Sequence, residues 1–391
     1  MSVTISEAVK YIGVDDKTID LFESQYVVPH GVSYNSYLIF DEKVALMDTV
    51  DARGMEQWEK NLLAALDGRK VDYLIVSHLE PDHAGSIGRL VELFPEVTLV
   101  GNAKTFQMLP QFFDELPVDE NHKITVAEGE SLSLGTHTLN FYMAPMVHWP
   151  EVMVTYESSE KILFSADGFG KFGALDYEDP EGWACEARRY YFNIVGKYGA
   201  PVQALLKKAA GLDIQTICPL HGPVLKENLG YYIGLYDTWS SYKPEDKGVL
   251  VAYASIHGNT AKAAQKFAEM LRAKGVEKVS VMDLSRDDMA EVVEDAFRYD
   301  RMVLAAASYD GGVFPCMQDF LHHLQSKAFQ NRTVGIIENG TWGPTAGRKM
   351  KGILETMKNI TIVEPMVTIR STMKESDLPA MEALADVIAN A

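Results

Sequence analysis

The segment His78-Leu79-Glu80-Pro81-Asp82-His83 places four potential metal ligands within six residues. It follows directly on Tyr73-Leu74-Ile75-Val76, an apolar run that reads as a buried strand. In an extended loop, residues 78, 80 and 82 project to one side. Pro81 fixes its own backbone and holds Glu80 extended. Ala84-Gly85-Ser86 then lets the chain turn into a helix. A polar loop feeding a helix N-terminus would welcome Asp82, but it would not need two histidines. Three further residues share one context, an apolar run before them and Gly or Pro close behind. His148 follows Leu139 to Val147 and precedes Trp149-Pro150. Asp167 follows Ile162 to Ala166 and precedes Gly168. His221 follows Thr216 to Leu220 and precedes Gly222-Pro223. The inventory is four His, two Asp and one Glu. Seven ligands exceed one ion and suit two with an open position. Nitrogen and carboxylate donors without thiolate fit iron or manganese at least as well as zinc. An acid such as Asp167 can bridge two ions, and adjacent ions can polarise one small substrate.

The chain after residue 248 carries a different chemistry. Ser255-Ile256-His257-Gly258-Asn259-Thr260 lies between the apolar strand Val249 to Ala254 and a helix. Hydroxyls, an amide and Gly at a helix N-terminus make a phosphate cradle. No Walker lysine is present, which disfavours a nucleoside triphosphate. Ser308-Tyr309-Asp310-Gly311-Gly312 and Asn339-Gly340-Thr341-Trp342-Gly343 follow two more strands. Ligands of open α/β sheets bind outside the carboxyl ends of the strands. Each of these loops offers an aromatic residue and backbone donors there, which suits a flavin ring. Gly168-Phe169-Gly170-Lys171-Phe172-Gly173 also matches GxGxxG, but Ala174 to Pro180 is a poor helix start. It reads as a loop beside the metal ligands, not a dinucleotide site.

The elements that position these loops fall into two halves. Ser240 to Gly248 is polar, carries Pro and Gly, and reads as a linker. Beyond it, five apolar strands alternate with five helices: 249–254, 279–284, 302–307, 334–337 and 360–369 for the strands. That is an open parallel sheet of flavodoxin-like pattern. The earlier half mixes a hairpin (37–40 and 44–48), further strands and scattered helices, which suggests two sheets with helices outside. The predicted domains are 1–246 and 247–391. The 391 residues carry 36 Lys and Arg against 55 Asp and Glu, a net charge of −19. That charge argues against nucleic acid and against anionic membrane surfaces. No apolar run approaches the roughly 18 residues of a membrane helix, and the start lacks signal-peptide features. Cys185, Cys218 and Cys316 form no CxxC pair or disulfide framework, so a cytoplasmic location is expected.

His-x-Glu-x-Asp-His, with later His, Asp and His at strand ends, resembles the metallo-β-lactamase superfamily in its diiron form. Zinc hydrolases of that superfamily have His where this chain has Glu80, so Glu80 points to flavodiiron proteins. Tyr34-Asn35-Ser36-Tyr37, Ala144-Pro145-Met146 with His148-Trp149-Pro150, and Arg189-Tyr190-Tyr191 with Asn193 also resemble that family. The resemblance covers nearly the whole chain. It implies an αββα metallo-β-lactamase-like sandwich followed by a flavodoxin-like doubly wound parallel sheet. It implies that His78, Glu80 and His148 hold one iron, that Asp82, His83 and His221 hold the other, and that Asp167 bridges them. His30 and Tyr191 would orient ligands or donate hydrogen bonds to bound oxygen species. The three later loops resemble flavodoxin FMN loops, with departures. His257 stands where the family often has Tyr, Asp310 replaces an Asn, and Glu338 and Thr341 stand where small residues are expected. The family reaction is reduction of dioxygen to water or of nitric oxide to nitrous oxide. A head-to-tail homodimer, or a dimer of dimers, is implied. No rubredoxin or flavin reductase domain is appended by Ala391, so the expected donor is a separate rubredoxin. The competing reading is a zinc metallo-hydrolase fused to a flavodoxin-like binding module without FMN.

Overall fold

The computed structural model describes residues 5–114 and 116–391, which divide into two compact units. The first runs through Tyr191 and resumes over Ala200–Asp237; the second holds Phe192–Gly199 and Thr238–Ala391. Among the described residues, no helix is long and apolar enough to cross a membrane.

In the first unit, six strands form one sheet, in the order Val9–Tyr11, Tyr37–Phe40, Val44–Met47, Tyr73–Ile75, Thr98–Gly101 and Lys123–Thr125. Five form a second, ordered Ser131–Ser133, Thr138–Met143, Met153–Glu157, Ile162–Phe164 and Thr216–Cys218. Side chains alternate along a strand. Tyr37, Ile39 and Met47 of one sheet therefore share a buried core with Phe141, Met153 and Phe164 of the other. Leu38, Leu46, Leu74 and Leu99 point the other way and are also fully buried. The helix Met55–Leu66 buries Trp58, Leu62 and Leu66 along one stripe. This is the expected αββα sandwich.

The second unit is a parallel sheet ordered Val279–Asp283, Asp246–Ala254, Tyr299–Tyr309, Arg332–Asn339, with Ile360–Ile362 and Val367–Ile369 both pairing to the last of these. The single strand expected over 360–369 is thus two. Pro365 lies between them and has no N–H to give a ladder. Little of the expected linker at 240–248 is irregular, since the helix Leu229–Ser240 runs into it and the strand Asp246–Ala254 begins inside it. The helix expected near 186–198 is interrupted. Trp183–Tyr190 is followed by a wide π turn over Tyr191–Val195 and a 3₁₀ turn over Gly196–Tyr198.

One side-chain clasp ties the turns of the two sandwich sheets. Asp41, in the first sheet's hairpin turn, accepts from His137 N (2.6 Å) and His137 Nδ1 (2.8 Å) in the second. Burial opposes a charge on His137, but the bond to Asp41 and the nearby Glu160 win and raise its pKa. A raised histidine contributes stability fully below its unfolded value, about 6.5, and loses it as pH rises through the folded value. His137→Gln is therefore expected to cost about 1 kcal/mol at pH 6 and less above pH 8. Urea unfolding of both proteins at the two pH values checks this.

Candidate metal and flavin sites

The loop after Tyr73–Ile75 is anchored before its first ligand. Ser77 N–H donates to the buried Asp48 (2.7 Å), whose carboxyl burial pushes up to about 6. His78 and Glu80 follow, Glu80 in extended backbone. The chain then turns helical at Pro81, with Glu80 (φ −57°, ψ 136°) as the cap of the short turn Pro81–Ala84. Proline suits the first position of a helix because its missing N–H is unpaired there anyway. The extended path expected through residue 82 therefore stops at 80. Asp82 and His83 rotate away from His78 and Glu80 into a second group.

Two ligand groups result: His78, Glu80, His148 and Asp167, and then Asp82, His83 and His221. In the first, His148 Nε2 lies 2.9 Å from Glu80 Oε2 and 3.1 Å from Asp167 Oδ2, and His78 Nε2 lies 3.1 Å from Glu80 Oε2. In the second, His83 Nε2 is 3.1 Å from His221 Nε2 and 3.3 Å from Asp82 Oδ2. Asp167 Oδ1 lies 3.2 Å from His83 Nε2. Asp167 thus turns one oxygen to each group. Donors held about 2.1 Å from a shared ion stand about 3 Å from one another, and these spacings match. The carboxylate oxygens of Asp82 and Asp167 and His148 Nε2 are buried with no hydrogen-bond partner among the described residues. Lone pairs that converge without a proton between them are what a cation site requires. The donor set therefore fits two metal ions.

Electrostatics agree. Burial opposes a charge on His148, yet the nearby carboxylates of Asp167 and Glu80 raise it to about 9. Burial likewise opposes ionisation of Glu80 and Asp167. The adjoining histidines, His148 first, hold Glu80 below the usual carboxylate range and Asp167 well below it. The site pulls in positive charge.

Further groups orient the rings. Glu151, fully buried, accepts from Leu79 N–H (2.9 Å) and lies 3.1 Å from His78 Nδ1. The Ser33 carbonyl lies 2.7 Å from His221 Nδ1. Both leave Nε2 facing the cluster. Phe22 and Tyr190 rings lie 5.5 and 5.4 Å from the His221 ring. Sequence reasoning missed Glu151; an acid just before the apolar strand Met153–Glu157 was its only signal. Glu23 was also missed. It sits at the tip of the hairpin Leu21–Phe22 and Tyr26–Val27, with φ +48°. It is exposed to solvent, yet partial desolvation and the Glu80 charge lift its carboxyl to about 7. His30 is exposed and stacks on Tyr177 (3.7 Å, 8°), where Gly31 at φ +69° turns the chain. Tyr191 is fully buried with its ring 5.1 Å from that of Tyr236, and the neighbouring Tyr190 is the one that reaches His221. No helix follows Gly168–Gly173 before Trp183, and a Cβ on Gly170 would lie 3.4 Å from that of His221. The glycine-rich segment is a loop packed beside the ligands.

In the second unit, the three expected loops lie at the carboxyl ends of Asp246–Ala254, Tyr299–Tyr309 and Arg332–Asn339. Gly258 (φ +86°) caps the helix Asn259–Ala273. Asp310 (φ +48°) and Gly311 (φ +70°) make a tight turn between Tyr309 and its partner Gly312. Two successive left-handed residues are what a type I′ hairpin demands, and Asp-Gly suits it. Ile256 is 41% exposed, Tyr309 45% and Trp342 94%. Large apolar groups exposed beside a helix N-terminus fit a flavin ring and its phosphate. Ser255 Oγ accepts from Gly258 N–H, and Thr260 is buried within the helix's first turn. The Ser308 and Asn339 side chains are engaged inside the protein. Ser308 Oγ accepts from Thr345 and Ala346 N–H, and Asn339 pairs with the Ser371 backbone. His257, Gly340 and Thr341 complete the loops.

The family model described as ODP family beta lactamase matches residues 32–222, and the flavodoxin domain model matches 250–360. A nitric oxide reductase of Moorella thermoacetica is 30% identical over 399 residues, covering 99% of this chain and 98% of that protein. The chain belongs to the flavodiiron protein family. An uncharacterised protein of Methanocaldococcus jannaschii is 31% identical, covering 97% of this chain and 95% of that one. The solved rubredoxin oxygen:oxidoreductase of Desulfovibrio gigas superposes with a TM-score of 0.93 at 25% identity, covering 100% of this chain and 98% of that chain. This flavodiiron protein is an oxidoreductase that carries a diiron centre and FMN.

Glu151 makes a specific prediction. Glu151→Gln weakens the orienting bond to His78 Nδ1 without touching a candidate ligand atom. Iron affinity of the purified protein is expected to fall about 10- to 100-fold with an unchanged circular dichroism spectrum. Competition with a calibrated chelator measures it.

Proposed function

We propose that this flavodiiron protein reduces dioxygen to water, nitric oxide to nitrous oxide, or both, with electrons delivered by a rubredoxin. Asp167 carries the reading, because it offers one oxygen to each of two buried ligand groups. In this assignment His78, Glu80 and His148 would hold one iron and Asp82, His83 and His221 the other, with Asp167 offering an oxygen to each. When bound, the two irons and FMN supply the redox chemistry. Relatives named nitric oxide reductase and rubredoxin-oxygen oxidoreductase support the substrates and the donor. The three cysteines of the sequence form no CxxC pair, which supports a reducing cytoplasm. The assembly proposed is a head-to-tail homodimer or a dimer of dimers.

The chain's own residues handle position and protons. Glu151 and the Ser33 carbonyl hold the His78 and His221 rings. Water formation consumes four protons per dioxygen, and nitrous oxide formation two per pair of nitric oxide molecules. Glu23 is the group suited to hold a proton at the edge of the site, at its carboxyl oxygen. Iron cations nearby lower its pKa from the metal-free value of about 7.

Anaerobically reduced protein, given rubredoxin and its reductase, should consume dioxygen or nitric oxide. No turnover with either gas sinks the proposal. Zinc without flavin in the purified protein would favour the hydrolase reading. Glu23→Gln is expected to slow turnover at least about tenfold with iron and FMN content unchanged. The wild-type rate should fall as pH rises through the Glu23 value, because the proton-bearing form is lost, and the variant should lose that limb. Steady-state rates from pH 4 to 8.5 test both.

A further inference from the structure

Glu338 is a charged residue in the interior of the flavodoxin-like sheet, 5% exposed. It is the residue before Asn339, where the third flavin loop begins. Its Oε2 accepts from Gly347 N–H (2.8 Å), in the first turn of the helix Ala346–Leu354. Its Oε1 accepts from Thr368 Oγ1 (2.9 Å), on the strand Val367–Ile369. The Glu338 carboxylate therefore links the end of its strand to the start of the helix that follows the loop. The helix start packs closely here, since a Cβ at 347 would lie 2.5 Å from Met366 Sδ and 3.1 Å from Glu338 Oε2. Both oxygens accept from outside donors, so the side chain needs no proton of its own, and the helix N-terminus favours its negative charge.

The neighbouring bonds extend the same arrangement. Asn339 Nδ2 donates to the Ser371 carbonyl and its Oδ1 accepts from Ser371 N–H, both at 2.9 Å. Asn259, at the start of the phosphate-side helix, donates to Ser371 Oγ (3.3 Å). Ser308 of the second loop accepts from Thr345 and Ala346 N–H. Side chains thus tie all three loops to one another, and the buried full charge among these ties is Glu338, while the Arg370 guanidinium that reaches the Thr341 carbonyl (3.4 Å) is exposed to solvent. A negative charge in a low-dielectric interior acts at longer range than one in water. It disfavours adding electrons to a ring held against the loop above it.

We infer that Glu338 is a positioning residue for the flavin, whose buried carboxylate clasps the third loop and lowers the reduction potential of the FMN bound there. The inference rests on FMN occupying these loops.

The full-length protein loaded with FMN provides the test. Glu338→Gln keeps both contacts available, because an amide oxygen accepts from Gly347 N–H and an amide N–H donates to Thr368 Oγ1. It removes the charge alone. A spectroelectrochemical titration should find the flavin potential of E338Q higher than wild type. Glu338→Ala removes the clasp as well, and its FMN dissociation constant should rise at least about tenfold. An unmoved potential in E338Q with FMN bound overturns the inference. If E338Q does not retain FMN, Thr368→Val is read instead, which keeps the charge and deletes one donor to it. Its potential should fall, and no shift there overturns the inference equally. Wild-type protein that binds no FMN would overturn the flavin assignment and this inference with it. FMN bound with an unmoved potential overturns this inference alone.

Discussion

Three carboxylates and four imidazoles converge in the first unit where solvent scarcely reaches. Anions held together away from water repel one another and lose hydration, so the arrangement is costly unless positive charge sits among them. The metal-free electrostatics already express that demand, since His78 and His148 are pushed toward the charged form and Glu80 and Asp167 away from the neutral one. Two cations meet the same demand with donors that need no protons. The sandwich provides the setting by ending its strands at the ligands. His78 follows Tyr73–Ile75, Asp167 follows Ile162–Phe164, and His221 follows Thr216–Cys218. Each strand is held by its ladder, so each loop starts from a rigid point.

The surroundings then remove freedom from the ligands. Glu151 and the Ser33 carbonyl occupy the far nitrogens of two imidazoles, and Trp149, Phe22 and Tyr190 rings pack beside them. Aromatic edges and faces restrict ring rotation without competing for the metal-facing lone pairs. The flavodoxin-like unit meets a different requirement. It must leave apolar faces open for a planar ring while keeping its loops in shape. Trp342, Tyr309 and Ile256 stay exposed, and the polar side chains beside them bind backbone groups of neighbouring segments instead of solvent.

Much of this was readable from residue types. Strand-terminal His, Asp and Glu followed by Gly or Pro marked the ligands, because the ends of buried strands are where polar groups can face a cavity. Strict strand–helix alternation marked the second sheet. The errors have physical causes as well. Residues 78, 80 and 82 would share one side only if the chain stayed extended, and Pro81 starts a helical turn. His30 matched the chemistry of a proton donor, but the turn at Gly31 leaves its ring against Tyr177, and Glu23 approaches the charged cluster from a hairpin of two-residue strands. Strands that short have no periodicity to detect.

What the amino-acid order determined by itself was the inventory: seven nitrogen and carboxylate donors, a phosphate-type helix start, two aromatic loops and a two-part architecture. Local preference extends only a few residues, and those features lie within it. Tertiary structure decided the partition of the donors, the double-facing Asp167, the Glu151 support and the Glu338 clasp. These depend on residues far apart in the chain, 73 positions for His78 and Glu151 and 138 for His83 and His221. Only the packing of one sheet on the other brings such pairs within hydrogen-bond distance, and no spacing along the chain encodes that meeting.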